Sequence, residues 1–487
     1  MCPNENRIGG THVVLRTLAL VWLAGCGSTE PGNLRPTVEL TAPRALSSHD
    51  LGSQVEIRAD ASDGDGSVAG VWFYADGAFL GRDEDPPYAW TWDTRDETRR
   101  TVRLSALAVD DDGATARDSM FVRVEWVYRR PEDVGDGWET GLLQVHGMDP
   151  APLVGLVNLL RDTDDHLVHG IVIVRDGRLL FESYFPGIQR TPRELVQFDR
   201  DVPHNLASTT KSITSALQGI AIDQGFISSV HAVVSDFFPE FPWMREGEKA
   251  GITLEHMVTM SSGLEWDQQS QPILSSANDI HVFQASPTPW EEYLGRPVVT
   301  PPGRVMNYSE GSINVVGEVV RRASGMSTEA FSQRYLFGPL GIVDFSWPII
   351  ATRWTWTGGD LRLTPRDMAR FGQLYLQGGV WEGERLVSAE WVARAARPYH
   401  VFDATSSPHE QYQREHFGCD GYSYAWWTLD ADVFGEGAYT SLGWGDQRIV
   451  VLPAWDMVVA FTGGSHFDPP LLTSHEILTG YVLEAVR

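Results

Sequence analysis

Residues 204–225 read HNLASTTKSITSALQGIAIDQG, and the stretch changes character halfway along. From Ser212 to Asp223 the apolar residues Ile213, Leu217 and Ile220 recur at the spacing of one helix face. Just before them, Ser208 and Lys211 stand three residues apart. On the first turn of a helix that spacing puts both side chains on one face. A neutral amine beside a hydroxyl can take its proton, and a helix N-terminus favours the negative charge that then develops. Composition sharpens the reading. Lys211 and Lys249 are the only lysines among 38 basic residues, and the others are arginine. Arginine keeps its proton in a protein, whereas lysine can release it.

Outward from that helix, strands and helices mix. Ile171–Val174 and Leu179–Phe181 flank Asp176-Gly177 as a tight hairpin. Ile449–Leu452 and Met457–Phe461 form a second hairpin about Pro453. A last helix is expected from about Ser474, with Thr473 and Glu476 spaced as a capping box. Strands at both ends with helices between them predict an α+β domain over 141–487: an antiparallel sheet flanked by helices, with an inserted helical lobe.

The N-terminal part has a different period. Val55, Ile57 and Ala59 alternate with charged residues, as do Val102 to Ala108 and Met120 to Val124. Asp63-Gly64-Asp65-Gly66, Asp76-Gly77 and Asp110–Gly113 separate these runs and read as turns rather than Ca²⁺ loops. Short alternating strands over 37–126 predict an all-β sandwich. Residues 26–36 and 127–140 read as linkers. Residues 1–25 read as a secretory signal, ending in Leu23-Ala24-Gly25-Cys26, a lipobox-like tetrapeptide with Cys26 as the lipidation site. Loss of residues 1–25 removes Arg7, Arg16 and Glu5, taking the net charge from −27 to −28 and leaving Cys419 with no disulfide partner. A chain this acidic repels phosphate backbones, so no nucleic-acid partner is expected. The expected membrane association is through the lipid alone, at the bacterial cell envelope.

Several chemistries are excluded by pattern. There is no G-x-S-x-G elbow, no second His four residues after His409-Glu410 or His475-Glu476, and no Walker or dinucleotide glycine loop.

From about residue 135 to the end, the chain resembles the serine β-lactamase/penicillin-binding-protein superfamily, nearest its class C-like hydrolases. The resemblance rests on ASTTK, on ITLEHMVTMSSGLEWD, on GGDLRLTPRDMARFGQLYLQGGVWEGERLVS and on RIVVLPAWDMVVAFTGG. The segment 37–126 resembles bacterial immunoglobulin-like (PKD-like) modules through ASDGDGSVAGVWFYADGAFLG, PPYAWTWDT and ALAVDDDGATA. The first resemblance implies that Ser208 is acylated, that Lys211 assists, and that Tyr308 of the Y-x-N box is a base and proton relay. Here Glu310 replaces that box's Asn. Such a carboxylate would keep Lys211 charged or raise the Tyr308 pKa, so either it points away or this site handles protons differently.

The third family box, K-T-G, is absent. The matching strand runs Tyr439–Gln447, and its Gly443-Trp444-Gly445 resembles a G-x-G-G-Q variant that supplies an oxyanion-hole N–H. Trp266 is a candidate to overhang the pocket. The implied function is hydrolysis of a small ester or amide through an acyl-enzyme, with no cofactor or metal. β-Lactam hydrolysis is less expected, because the strand lysine is missing and Glu310 would oppose a substrate carboxylate. The competing reading is a weakly catalytic or non-catalytic cell-wall-binding protein with a degenerate penicillin-binding-type domain.

Overall fold

The structure is a computed structural model and describes residues 32–163, 166–190, 192–350 and 353–486. Cys26 and the 1–25 segment lie outside the described residues. The chain divides into two compact units. One runs to Asp96 and includes Thr101–Arg123; the other comprises Glu97–Arg100 and everything from Val124.

The first unit is a two-sheet sandwich. Strands β1 (Thr37–Ala42), β3 (Gln54–Ser62) and β6 (Tyr88–Asp93) form one sheet in the order β1-β3-β6. The second sheet has the order β2-β8-β7-β4-β5, with β2 at Ser48–Asp50, β4 at Val68–Ala75, β5 at Ala78–Asp83, β7 at Thr101–Asp110 and β8 at Thr115–Glu125. The period-two runs explain the core. Val55, Ile57, Ala59, Val102, Leu104, Ala106, Ala108, Val122 and Val124 are all buried, while Glu56, Arg58, Asp60, Thr101, Arg103, Phe121 and Arg123 between them are exposed. Met120 is only half-buried.

In the second unit an eight-stranded antiparallel sheet is built from both ends of the domain. Strands β9 (Val168–Arg175) and β10 (Arg178–Tyr184) come early. Late in the chain come β11 (His400–Val401), β12 (Cys419–Ser423), β13 (Trp426–Leu429), β14 (Tyr439–Gly443), β15 (Gln447–Leu452) and β16 (Met457–Gly463). The order is β10-β9-β16-β15-β14-β13-β12-β11, so the first and last hairpins meet at β9 and β16. Every residue of β15 and β16 is buried, so the sheet's centre is covered on both faces. Helix α1 spans Ala151–Arg161, and the helical lobe carries α2 (Thr210–Asp223) and α3 (Glu310–Ser324), which pack on each other. Helix α4 (Pro365–Leu376) lies on β9, β15 and β16. The expected capping box forms: Thr473 accepts from the Glu476 N–H, and Glu476 accepts from the Thr473 N–H at 2.8 Å.

Residues 127–140, expected as linker, are bonded into the second unit, as is Trp126 before them. Trp126 and Asn158 exchange two hydrogen bonds of 2.7 and 3.0 Å. The Tyr128 hydroxyl donates to the Leu180 carbonyl at 2.8 Å and accepts from the Leu143 N–H at 2.9 Å. Asp136 pairs with Arg366 at 2.8 Å, and Trp138 is buried. A charged composition misleads here because two tryptophans, one tyrosine and one aspartate do the anchoring.

A chain beginning at Val124 is therefore expected to fold and unfold cooperatively by itself. One beginning at Arg130 loses Trp126 and Tyr128, and with them several net hydrogen bonds at about 1 kcal/mol each. Its thermal midpoint should fall by several degrees relative to the Val124 chain. Equal midpoints for the two chains would show that these residues contribute nothing.

Candidate active site

Helix α2 begins two residues later than Ser208. The serine sits in a 3₁₀ turn, Ala207–Thr209, that feeds into the helix. Ala207 holds a left-handed backbone, φ 45°, which a side-chain-bearing residue adopts only when its surroundings impose it. Those surroundings are present. The Asn205 side chain accepts from the Ala207 N–H at 2.8 Å. The Ala207 carbonyl accepts from the Asp360 N–H at 3.1 Å and from the Thr210 hydroxyl at 2.7 Å. The turn is thus pinned on both sides of the nucleophile candidate.

Lys211 is 1% exposed. Its Nζ donates to Ser208 Oγ at 2.8 Å, to Glu310 Oε1 at 2.6 Å and to the Gly358 carbonyl at 2.6 Å. Three donors meet three acceptors, which is the full capacity of an ammonium. Glu310 does not point away. It opens α3, where the helix N-terminus favours a carboxylate. Its backbone N–H donates to Gln268 Oε1 at 2.8 Å. Its Oε1 also lies 3.5 Å from Ser208 Oγ. Its other oxygen, Oε2, is buried with no hydrogen-bond partner among the described residues.

The electrostatics follow from this burial. Desolvation works against the Lys211 charge, but the Glu310 carboxylate and the Tyr308 phenol oxygen outweigh it and raise the ammonium above the ordinary lysine value. Desolvation also raises Glu310 above the usual carboxylate range, although Lys211 pulls it down. Tyr308 is raised as well, by burial first, with Glu310 adding to it and Lys211 opposing. Its ring centroid is 5.1 Å from Lys211 Nζ. The resting site is therefore a charged lysine bound to a carboxylate, beside a phenol that keeps its proton. This differs from the neutral amine and basic tyrosine that the motifs alone imply: Glu310 is the main reason for the lysine, and burial, with Glu310 adding to it, for the tyrosine.

Strand β14 runs directly against the serine turn. A Cβ on Gly443 would stand 2.3 Å from the Leu206 carbonyl and 3.1 Å from the Thr209 nitrogen, so only glycine allows this approach. Gly445 has φ 87°, and a Cβ there would lie 1.8 Å from the His466 ring. Asp446 follows at φ 71°, where the G-x-G-G-Q pattern has glycine; its carboxylate takes the Ser474 N–H at 2.6 Å. Gln447 braces the loop from beneath, donating to the Gly445 and Gly463 carbonyls at 3.0 and 2.7 Å.

Ser208, Glu310 and Trp444 line one cavity of about 380 Å³, with Trp356, Leu274 and Phe467 among its apolar walls. Trp266 is not one of those walls. It is 5% exposed, packs edge-on against Tyr293 and Phe283, and donates to Gln268, the residue that holds the Glu310 backbone. Two wall residues escaped the sequence reading. Arg190 pairs with Asp360 and lies 5.2 Å over the Trp444 ring. Asp360 had a signal, because it follows Gly358-Gly359 in a stretch that carries the resemblance. Arg190 had none, since only folding brings residues 190 and 444 together. Among the described residues no cluster of His, Cys, Asp and Glu is arranged to hold a metal ion.

Comparison with known proteins gives this geometry a context. The beta-lactamase family model matches residues 158–468, and the bacterial Ig domain model matches residues 36–115. The 6-aminohexanoate-dimer hydrolase of Paenarthrobacter ureafaciens is 22% identical over 349 residues, covering 68% of this chain and 81% of that protein. The lovastatin esterase of Penicillium rubens is 30% identical over 193 residues, covering 36% of this chain and 46% of that protein. A penicillin-binding protein homologue from Pyrococcus abyssi superposes with a TM-score of 0.53 at 19% identity, over 69% of this chain and 77% of that one.

The close approach of β14 to the serine turn carries its own test. Gly443→Ala should leave the protein folded while lowering the reactivity of Ser208 toward a fluorophosphonate by about 100-fold or more, the scale of a lost oxyanion donor. Unchanged labelling would mean that the strand plays no part at the serine.

Proposed function

The chain belongs to the beta-lactamase family, with a bacterial Ig domain ahead of the catalytic fold, and from that premise we propose that Ser208 is the nucleophile of a hydrolase acting on small esters or amides. The family makes the chain a serine hydrolase. The single observation that carries the assignment to Ser208 is its hydrogen bond to a buried lysine, at 2.8 Å, on the wall of the cavity.

In this reading Ser208 Oγ attacks the substrate carbonyl and the oxygen becomes an oxyanion. The backbone N–H groups of Ser208 and of the Gly443–Gly445 stretch stabilise it, which supports the glycine requirement found there. Lys211 stays an ammonium and passes protons. Tyr308, a neutral phenol, stands ready to give its proton to the leaving oxygen or nitrogen. Water then releases the acyl group. No cofactor enters these steps.

Charge balance supports neutral substrates. Glu310 is compensated by Lys211 and Asp360 by Arg190. Glu310 therefore repels a substrate carboxylate less than its sequence position implies, but among the described residues of the cavity no uncompensated lysine or arginine attracts one either. The strand lysine that a β-lactam carboxylate would meet is absent from β14. Short esters and amides are the expected substrates, with β-lactams weak.

The location we propose is the cell envelope, through diacylglyceryl modification of Cys26 after cleavage of residues 1–25. Lipid chains added to one cysteine give stable anchoring where a single chain would not. The support is sequence alone: an apolar run closed by Leu23-Ala24-Gly25-Cys26.

Four measurements test this. Ser208→Ala should abolish fluorophosphonate labelling and lower ester turnover by several orders of magnitude; an acyl adduct on that variant would remove Ser208 from its role. On a panel of p-nitrophenyl esters, short amides and a chromogenic cephalosporin, the wild type should prefer the neutral compounds. Asp360→Asn should raise kcat/KM for carboxylate-bearing esters about tenfold relative to neutral ones, because it frees the Arg190 charge at a few ångströms. An unchanged ratio would show that Arg190 does not face the substrate. Finally, Cys26→Ser should move the protein from membranes to the soluble fraction, and a wild type already soluble after secretion would refute the anchor.

A further inference from the structure

The Lys211 ammonium has no lone pair with which to accept a proton. Each of its three donors meets an acceptor, and it is shut away from water. The Tyr308 phenol is protonated too. The proton that leaves Ser208 must therefore end on a group beyond both. Among the described residues the groups facing that point are few. Lys211 and Ser208 come from α2 and the turn before it, and Tyr308 from the segment leading into α3. Asp360 comes from the Gly358–Asp360 loop, and Tyr422 from β12. Asp360 is held by Arg190, and Tyr422 is a buried phenol raised well above its ordinary value. Glu310 remains: its Oε1 is 2.6 Å from Lys211 Nζ and 3.5 Å from Ser208 Oγ, and its Oε2 is buried without a partner among the described residues.

We propose that Glu310 is the proton acceptor of this site, receiving the Ser208 proton through Lys211. This rests on the reading of Ser208 as nucleophile. In acylation the Oγ–carbon bond forms and the carbonyl π pair moves to oxygen. The Oγ proton passes to Lys211 Nζ as Nζ hands one of its own to Glu310 Oε1, so Lys211 ends as it began. On collapse the oxyanion pair re-forms the carbonyl, the bond to the leaving oxygen or nitrogen breaks, and that atom takes the Tyr308 proton, which Glu310 replaces through Lys211. Glu310 is again a carboxylate. Deacylation repeats the sequence with water: its oxygen bonds to the acyl carbon, its proton goes to Glu310, and Ser208 Oγ leaves and is reprotonated. No outside oxidant, reductant or metal is needed. The carboxylate in place of the Y-x-N asparagine thus changes which residue is the base.

The orphaned oxygen supports this role over a structural one. A carboxylate kept only to neutralise Lys211 gains most from satisfying both oxygens. Here one is left bare, which raises basicity, since each hydrogen bond to the charged form would lower it. Burial acts in the same direction.

The test is the pH dependence of kcat/KM for a neutral p-nitrophenyl ester in wild type, Glu310→Gln and Glu310→Asp. Protonating the acceptor stops the reaction, so the wild type should lose activity as pH falls through an acid limb. Glu310→Gln should lower kcat/KM about 100-fold or more at pH 7, the range of a lost general base. Its remaining activity should climb with pH at least one unit further to the alkaline side, because Lys211 must then lose its proton. Glu310→Asp should keep an acid limb at a reduced rate. An intact profile in Glu310→Gln, with kcat/KM within about threefold of wild type, overturns the proposal. Should Glu310→Gln fail to fold, the wild type and Glu310→Asp decide: acid limbs in both support it, and a wild-type rate flat from neutral pH down to pH 4 overturns it. Ser208→Ala run alongside separates the two claims. Turnover that survives in it defeats the Ser208 reading, whereas loss there together with a normal Glu310→Gln defeats only the acceptor.

Discussion

The ion pair between Lys211 and Glu310, closed off from water at 2.6 Å, is the constraint around which the rest of the catalytic unit is arranged. Burying two charges costs several kcal/mol per ion, and removing one partner of such a pair costs about 3–5 kcal/mol. The pair persists because every ammonium donor is met. That requirement fixes three elements at once: the serine turn before α2, the first residue of α3, and the Gly358 carbonyl. Two of those elements pack on each other, and the third also supplies the N–H that pins Ala207. Positioning of Ser208 and satisfaction of the buried charge are thus one and the same set of contacts.

The sheet contributes the opposite wall. Its centre is covered on both faces, and β14, next to β15, comes within a glycine's width of the serine turn. Beyond β14 the backbone takes two successive left-handed residues, Gly445 and Asp446, and Gln447 ties that bend to β16. The result is a serine reached by backbone from one side and by a charged pair from the other, with an apolar cavity between.

Much of this was legible from the chain, and the reasons are specific. Periodicity found two hairpins of the eight-stranded sheet, α2 and the sandwich core, because residues such as Ile57 and Leu104 are buried through local alternation alone. Ser208, Lys211 and Tyr308 were found by motif, and Glu310 was singled out as the residue at odds with it. Its orientation was not legible, since it depends on α3 packing against α2, about 100 residues away. The same holds for Arg190, which becomes a pocket residue only through its contacts with Asp360 and Trp444. Residues 127–140 look like a linker by charge, but they and Trp126 are anchored by a handful of aromatic and polar side chains, a signal too sparse for composition to carry.

The scarcity of lysine makes the charge state at the centre of the site directly observable. With two lysines in the chain, isotope labelling of the lysine side chains gives two sets of NMR signals, and Lys249→Arg assigns them. The Lys211 side chain should show the chemical shift of an ammonium from pH 6 to at least pH 9, held there by Glu310 although it lies in the protein interior. A neutral amine at pH 7, as burial alone would produce, would contradict a charged Lys211–Glu310 pair and the proton path built on it.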